Sequence, residues 1–183
     1  MNEIQNEETN EQDLPTIEID PLKMQQLLQK MRDEQNLMLG IGAGAAAALV
    51  SAIIWAGITA LTNYQIGWMA IGVGVLVGLA VRTAGKGVDT SFGVVGGILS
   101  AIGCALGNLL TVVIIVSNSQ SIPILELVSQ LTPTAIVEVM KATFQPMDVV
   151  FYLIGLYEGY QFSFRQLTDE EIMSVAQEPA EGV

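Results

Sequence analysis

The feature that most limits this chain is where it carries no charge. No Asp, Glu, Lys or Arg occurs from 35 to 81, nor again from 90 to 125. A helix needs about 20 apolar residues to cross the hydrocarbon core of a bilayer. The first gap accommodates two such crossings and the second accommodates one. Of the 183 residues, 51% are hydrophobic and only 14% are charged, and mean hydropathy is +0.50. Soluble chains carry roughly 25% charged residues. The net charge of −12 comes mainly from the ends, since nine acidic residues precede residue 35 and five follow residue 168. An acidic chain of this kind gives no support to nucleic-acid binding.

Four spans are expected, at about 37–61, 66–81, 92–116 and 148–164. The first is rich in Gly and Ala (GIGAGAAAALV) and then bulkier (AIIWAGITAL). Asn63, Tyr64 and Gln65 break the first gap, so the two helices around them are antiparallel neighbours. Tyr64 and Trp68 suit an interfacial aromatic belt. Segment 117–147, punctuated by Pro123 and Thr132-Pro133, reads as short amphipathic helices lying outside the bundle. The expected fold is therefore all-α: an integral membrane four-helix bundle with short amphipathic helices. Residues 1–20 are acidic and read as a disordered tail, and 167–183 as an acidic mobile tail. The start MNEIQNEETNEQD lacks the basic and apolar regions of a signal peptide, so the first span is expected to stay in the membrane.

Between the N-terminal tail and the first span, residues 21–36 predict a juxtamembrane helix. Asp20 is its cap and Pro21 its first residue, while Met24, Leu27, Leu28 and Met31 fall on one face. If both termini are cytoplasmic, Lys23, Lys30, Arg32, Arg82, Lys86 and Arg165 all lie inside and only Lys141 lies outside. The reverse topology inverts that ratio, so the positive-inside rule places both ends in the cytoplasm.

Two nucleotide-binding patterns fail on inspection. Aligning VGLAVRTAGKG to the phosphate-loop pattern G-x-x-x-x-G-K-[ST] puts Ala80 at the first glycine and Gly87 at the hydroxyl. Gly42 to Ala47 fits a dinucleotide pattern but has neither a preceding strand nor a following acidic residue. The glycines read better as packing seams. Gly40/Gly44, Gly74/Gly78, Gly93/Gly97 and Gly103/Gly107 each have the G-x-x-x-G spacing that lets membrane helices approach closely.

Catalysis finds little support. There is no His, and the single Cys104 lies in an apolar run without a base. No metal or other cofactor is implied, and no intrachain disulfide can form. Asp148 reads as a helix N-terminal residue favoured by the macrodipole. Arg82 and Lys86, four apart, either orient the protein or bind lipid phosphates. Glu158 falls midway along the last expected span, where a carboxylate is costly unless partnered. It pairs with Arg82 or Arg165, or else carries a proton. Its functional reading is a proton or cation site with Asn108 and Thr111 along a polar path; its structural reading is a pair that fixes helix register.

The GLAVRTAGKG loop and the final segment MDVVFYLIGLYEGYQFSFR resemble those of small bacterial multi-span inner-membrane proteins of unassigned function. That resemblance, over about 66–166, implies a bacterial cytoplasmic membrane location and assigns no site residue. The expected function is a non-enzymatic scaffold or a module binding a protein partner, lipid or a second copy. The alternative is a small oligomeric transporter or channel subunit built on Glu158.

Overall fold

The computed structural model describes residues 19–62 and 67–176. The expected break at 63–65 and the outer parts of both acidic tails lie outside the described residues. The described chain is helical: α1 (Pro21–Glu34), α2 (Leu37–Thr62), α3 (Met69–Gly85), α4 (Thr90–Gln120), α5 (Ile124–Ser129), α6 (Pro133–Thr143), α7 (Pro146–Phe162) and α8 (Asp169–Val175). It divides into two compact units whose boundary falls inside α1, between Gln29 and Lys30, and again between Gln166 and Leu167.

The smaller unit joins the start of α1 to α8. Asp20 Oδ1 accepts from the backbone N–H of Leu22 at 2.8 Å and of Lys23 at 3.4 Å, which caps α1. The Asp20 N–H donates to the Val175 carbonyl at 2.9 Å, and Ile19 and Ala176 form an antiparallel bridge. The segment expected as a mobile tail from residue 168 is thus partly a helix. Thr168 and Glu171 build a reciprocal capping box at its start, satisfying two backbone donors.

The larger unit is built on α2, α3, α4 and α7. α3 and α4 touch each other, α2 packs on one side of the pair and α7 on the other, and α2 and α7 do not meet. Contacts fix the directions. Gly40 faces Gly85 and Gly44 faces Val81, so α2 and α3 run antiparallel. Gly103 faces Ala48, so α2 and α4 are parallel. Gly74 meets Gly155 and Gly78 meets Phe162, so α3 and α7 are also parallel. The start of α2, the end of α3, the start of α4 and the end of α7 therefore share one end of the bundle. α5 and α6 bury none of their residues and touch only α4 of the helices.

Small residues explain the close approach. Along α7, Gly155 and Gly159 are spaced by four and face Ala70 and Gly74 of α3 on one side, and Phe162 meets Gly78. Gly96, Ser100 and Cys104 of α4 line the other side. A Cβ on Gly74 would stand 2.6 Å from the Gly155 carbonyl oxygen, and one on Gly155 would stand 3.1 Å from Cys104 Sγ. Gly155 and Gly159 have the same G-x-x-x-G spacing as the pairs in α2, α3 and α4. Four buried hydroxyls are satisfied by nearby backbone. Ser51, Ser100, Thr111 and Ser163 each donate to the carbonyl four residues back, at 2.6 to 2.8 Å.

Large apolar side chains turn outward instead. Leu49 is 52%, Ile53 56% and Leu153 60% exposed, whereas Ala52, Ala56 and Ala70 are fully buried. α2 and α4 are long and apolar enough to cross a membrane. α3 and α7 have 17 residues each, about 25 Å of helix, which is shorter than the hydrocarbon core.

Candidate functional site

The two ends of the bundle differ in chemistry. In the larger unit Lys30, Arg32, Arg82, Lys86 and Arg165 lie towards one end, where the last turn of α1 and the loop between α3 and α4 form the charged end. The loop is anchored from both sides. The Asn36 N–H donates to the Gly85 carbonyl and the Arg165 N–H to the Gly87 carbonyl, both at 2.8 Å. The Gln35 side chain accepts from the Val88 N–H at 3.3 Å and donates to the Asp89 carboxylate. Arg32 Nε lies 3.4 Å from that same carboxylate. The ring of Phe92, 1% exposed, fills the space beneath Gly40, Gly85 and Gly87.

On this platform the expected basic pair separates in role. Arg82 lies in the last turn of α3 and donates to the Gln166 side chain at 3.2 Å. Lys86 is the C-cap of α3, held in the left-handed region at φ 49°, and is exposed. The helix ends before Lys86, so the two do not sit on one continuous helical face. Neither reaches Glu158. Arg165 pairs with Glu34 at 2.9 Å, so the two arginines expected as partners of Glu158 are engaged elsewhere.

Glu158 itself is half-buried on α7, with its Cβ packed over Gly74. Among the described residues its carboxylate has no hydrogen-bond or ion-pair partner. It lies only four residues before the end of α7, yet it is deep in the bundle. Gly74 precedes the end of α3 by eleven residues, or about 16 Å. The reconciliation is local: α7 stops at Phe162, and 163–166 climb without helix to the level of Gly87, where Arg165 bonds.

Asn108 and Thr111 lie towards the opposite end, on the buried face of α4. Asn108 Nδ2 donates to the Tyr152 hydroxyl at 2.8 Å, and the Tyr152 ring stands edge-on to Phe144 at 6.3 Å between centroids. Beside them is a cavity of about 310 Å³ between Asn108, Thr111 and Ile115 of α4 and the 142–145 segment. Glu158 does not line it, so the structure brings Asn108 and Thr111 together but not with the carboxylate. Gln145 and Asp148 form a capping box at the start of α7. The Gln145 N–H donates to Asp148 Oδ2 at 2.9 Å and the Gln145 backbone carbonyl accepts from the Asp148 N–H at 2.9 Å. The Q-P-M-D spacing is a capping signature; the lining role of 142–145 left no mark in sequence, because it arises from how α6 turns back into α7.

On α2, Trp55 Nε1 and Thr59 Oγ1 are buried and unpaired, four residues apart. No group of three or more metal-ligating side chains occurs among the described residues. Comparison of the chain with protein-family models, with curated proteins and with solved structures finds no match.

Proposed function

We propose that this is a multi-pass membrane module that binds anionic lipid head groups at its charged end and carries out no catalysis. One observation carries the reading: the four-helix unit is inside-out. Its interior is mainly Gly, Ala, Ser and Val around the buried rings of Trp55 and Phe92, and its exterior is mainly Leu, Ile and other large apolar side chains. Contiguous exposed apolar surface of that extent is unfavourable in water but needs no cover in lipid. α2 and α4 cross unaided; α3 and α7, which are short, cross with the help of the non-helical 163–166 segment and of Gly67 and Trp68. The charged end then faces the cytoplasm with both termini, in the bacterial inner membrane that the resemblance of the loop and final span implies. Lys30 and Lys86 have no acidic partner among the described residues, and the Arg82 guanidinium meets only the neutral Gln166. Each basic residue near an anionic surface contributes about 1 kcal/mol, or roughly fivefold in binding.

The test is reconstitution into vesicles with and without phosphatidylglycerol. Thermal stability is expected to rise with the anionic lipid, and Lys86→Ala together with Arg82→Ala should remove most of that rise. Equal response of both proteins would defeat the lipid assignment. Recovery of the chain in the soluble fraction without detergent would defeat the membrane placement. Cysteine labelling on a Cys104→Ala background provides the topology: Lys86→Cys and Lys141→Cys should react from opposite sides.

A second reading, an oligomeric transporter or channel subunit, is favoured by the unpartnered Glu158 deep in the bundle. Proteoliposomes should then show an ion or proton flux that Glu158→Gln abolishes. The separation of Glu158 from the polar cavity favours the first reading.

A further inference from the structure

We infer that the cavity beside Asn108 and Thr111 binds the head of an uncharged glyceride, a diacylglycerol-like molecule whose acyl chains remain in the surrounding lipid. This rests on the membrane placement proposed above. Depth comes first. Thr111 lies 21 residues along α4 from Thr90, about 31 Å. With Thr90 at the cytoplasmic boundary, a hydrocarbon core of about 30 Å ends at this level. α4 continues for nine more residues, ending in Ser117, Asn118, Ser119 and Gln120, a polar run suited to the head-group region. The cavity therefore sits where ester carbonyls and glycerol hydroxyls are found.

Charge narrows the class. No ionisable side chain lines the cavity. Asp148, next to it in sequence, is buried, and its carboxylate is committed to the Gln145 N–H. A phosphate would find no cation there and an amine no carboxylate. The hydrogen-bond inventory narrows it further. Thr111 donates its hydroxyl proton to the Gly107 carbonyl and Thr143 donates to Val139, at 2.8 and 2.9 Å, so both oxygens are left as acceptors. The Asp148 N–H donates to the Gln145 backbone carbonyl at 2.9 Å, and the Gln145 side-chain amide on the cavity lining offers its protons as donors. The matching ligand offers one hydroxyl and one carbonyl, as the free hydroxyl and ester of a diacylglycerol do.

Access and size agree. Residues 142–145 are exposed, and Ile115 is 49% exposed, which leaves the cavity open beside the apolar surface. Its volume of about 310 Å³ is at the small end of ligand sites, roughly 300–1,000 Å³, enough for a glycerol head but not for a whole lipid.

The experiment uses the full chain in phosphatidylcholine nanodiscs doped with a photoactivatable diacylglycerol or, separately, a photoactivatable phosphatidic acid. The diacylglycerol is expected to label peptides containing 108–115 and 142–145. Ala142→Trp, which fills the cavity from an exposed position, should cut that labelling at least fivefold. Thr111→Val, which removes an acceptor without changing volume, should cut it about threefold. Labelling spread evenly over the bundle and unmoved by either variant overturns the inference, as does equal labelling by phosphatidic acid. A protein that fails to enter nanodiscs tells instead against the membrane placement.

Discussion

The Phe92 ring occupies the space that a side chain at Gly87 would need. Because Phe92 is 1% exposed and is also wedged against Gly40 and Gly85, it cannot swing aside without opening the end of the bundle. Gly87 also accepts the Arg165 N–H through its carbonyl. Gly87→Ala is therefore expected to destabilise by about 1–3 kcal/mol through overpacking. A thermal melt in detergent checks this, and an unchanged midpoint would mean that the ring relocates freely.

Glycines in the same bundle should respond in opposite directions. A Cβ on Gly159 would run into Ser100 and stand 2.6 Å from the Gly96 carbonyl oxygen, whereas one on Gly72 meets nothing within 4 Å. Gly159→Ala should lower the melting midpoint and Gly72→Ala should raise it slightly, by about 0.5–1 kcal/mol in stability, since alanine favours helix. Equal effects would contradict the α7 seam.

Thr59 offers a test of an unsatisfied group. Its hydroxyl is buried without a partner, so the near-isosteric Thr59→Val removes a penalty rather than a bond. Stability is expected to rise by about 1 kcal/mol. A fall of similar size would reveal a partner or an internal water at Oγ1.

Glu158→Leu should leave the bundle folded and raise its stability in lipid, because an unpartnered carboxylate at that depth costs at least about 2.5 kcal/mol. Its Cβ packs over Gly74, and the carboxylate has no ion-pair partner among the described residues. Marked destabilisation of the variant would mean that another molecule supplies a partner for it.

Much of the architecture was legible because it depends on one-dimensional signals. The absence of charge marked α2 and α4, and the Asp20-Pro21 and Thr132-Pro133 pairs marked where α1 and α6 begin. Boundaries set by packing were less legible. α3 runs to Gly85 rather than 81, and α7 stops at Phe162 rather than 164, since seam contacts decide which turns persist. The acidic composition of 169–175 hides α8, although Thr168-x-x-Glu171 carries a capping signature.

The candidate site divides in the same way. Sequence by itself determined that Arg82, Lys86 and Glu158 are among the few charges next to or within apolar helices, and that Asn108 and Thr111 are polar positions inside one. Tertiary structure alone decided their company. Arg82 meets Gln166, Arg165 meets Glu34, and Glu158 is left over Gly74 without a partner. Asn108 and Thr111 join a cavity closed by residues from a distant turn. The reason is physical: hydropathy and helix period act along the chain and can be read from it, whereas pairing depends on which helices touch and in what register. Here that register is set by glycine and serine seams whose partners lie as much as 85 residues apart, as with Gly74 and Gly159.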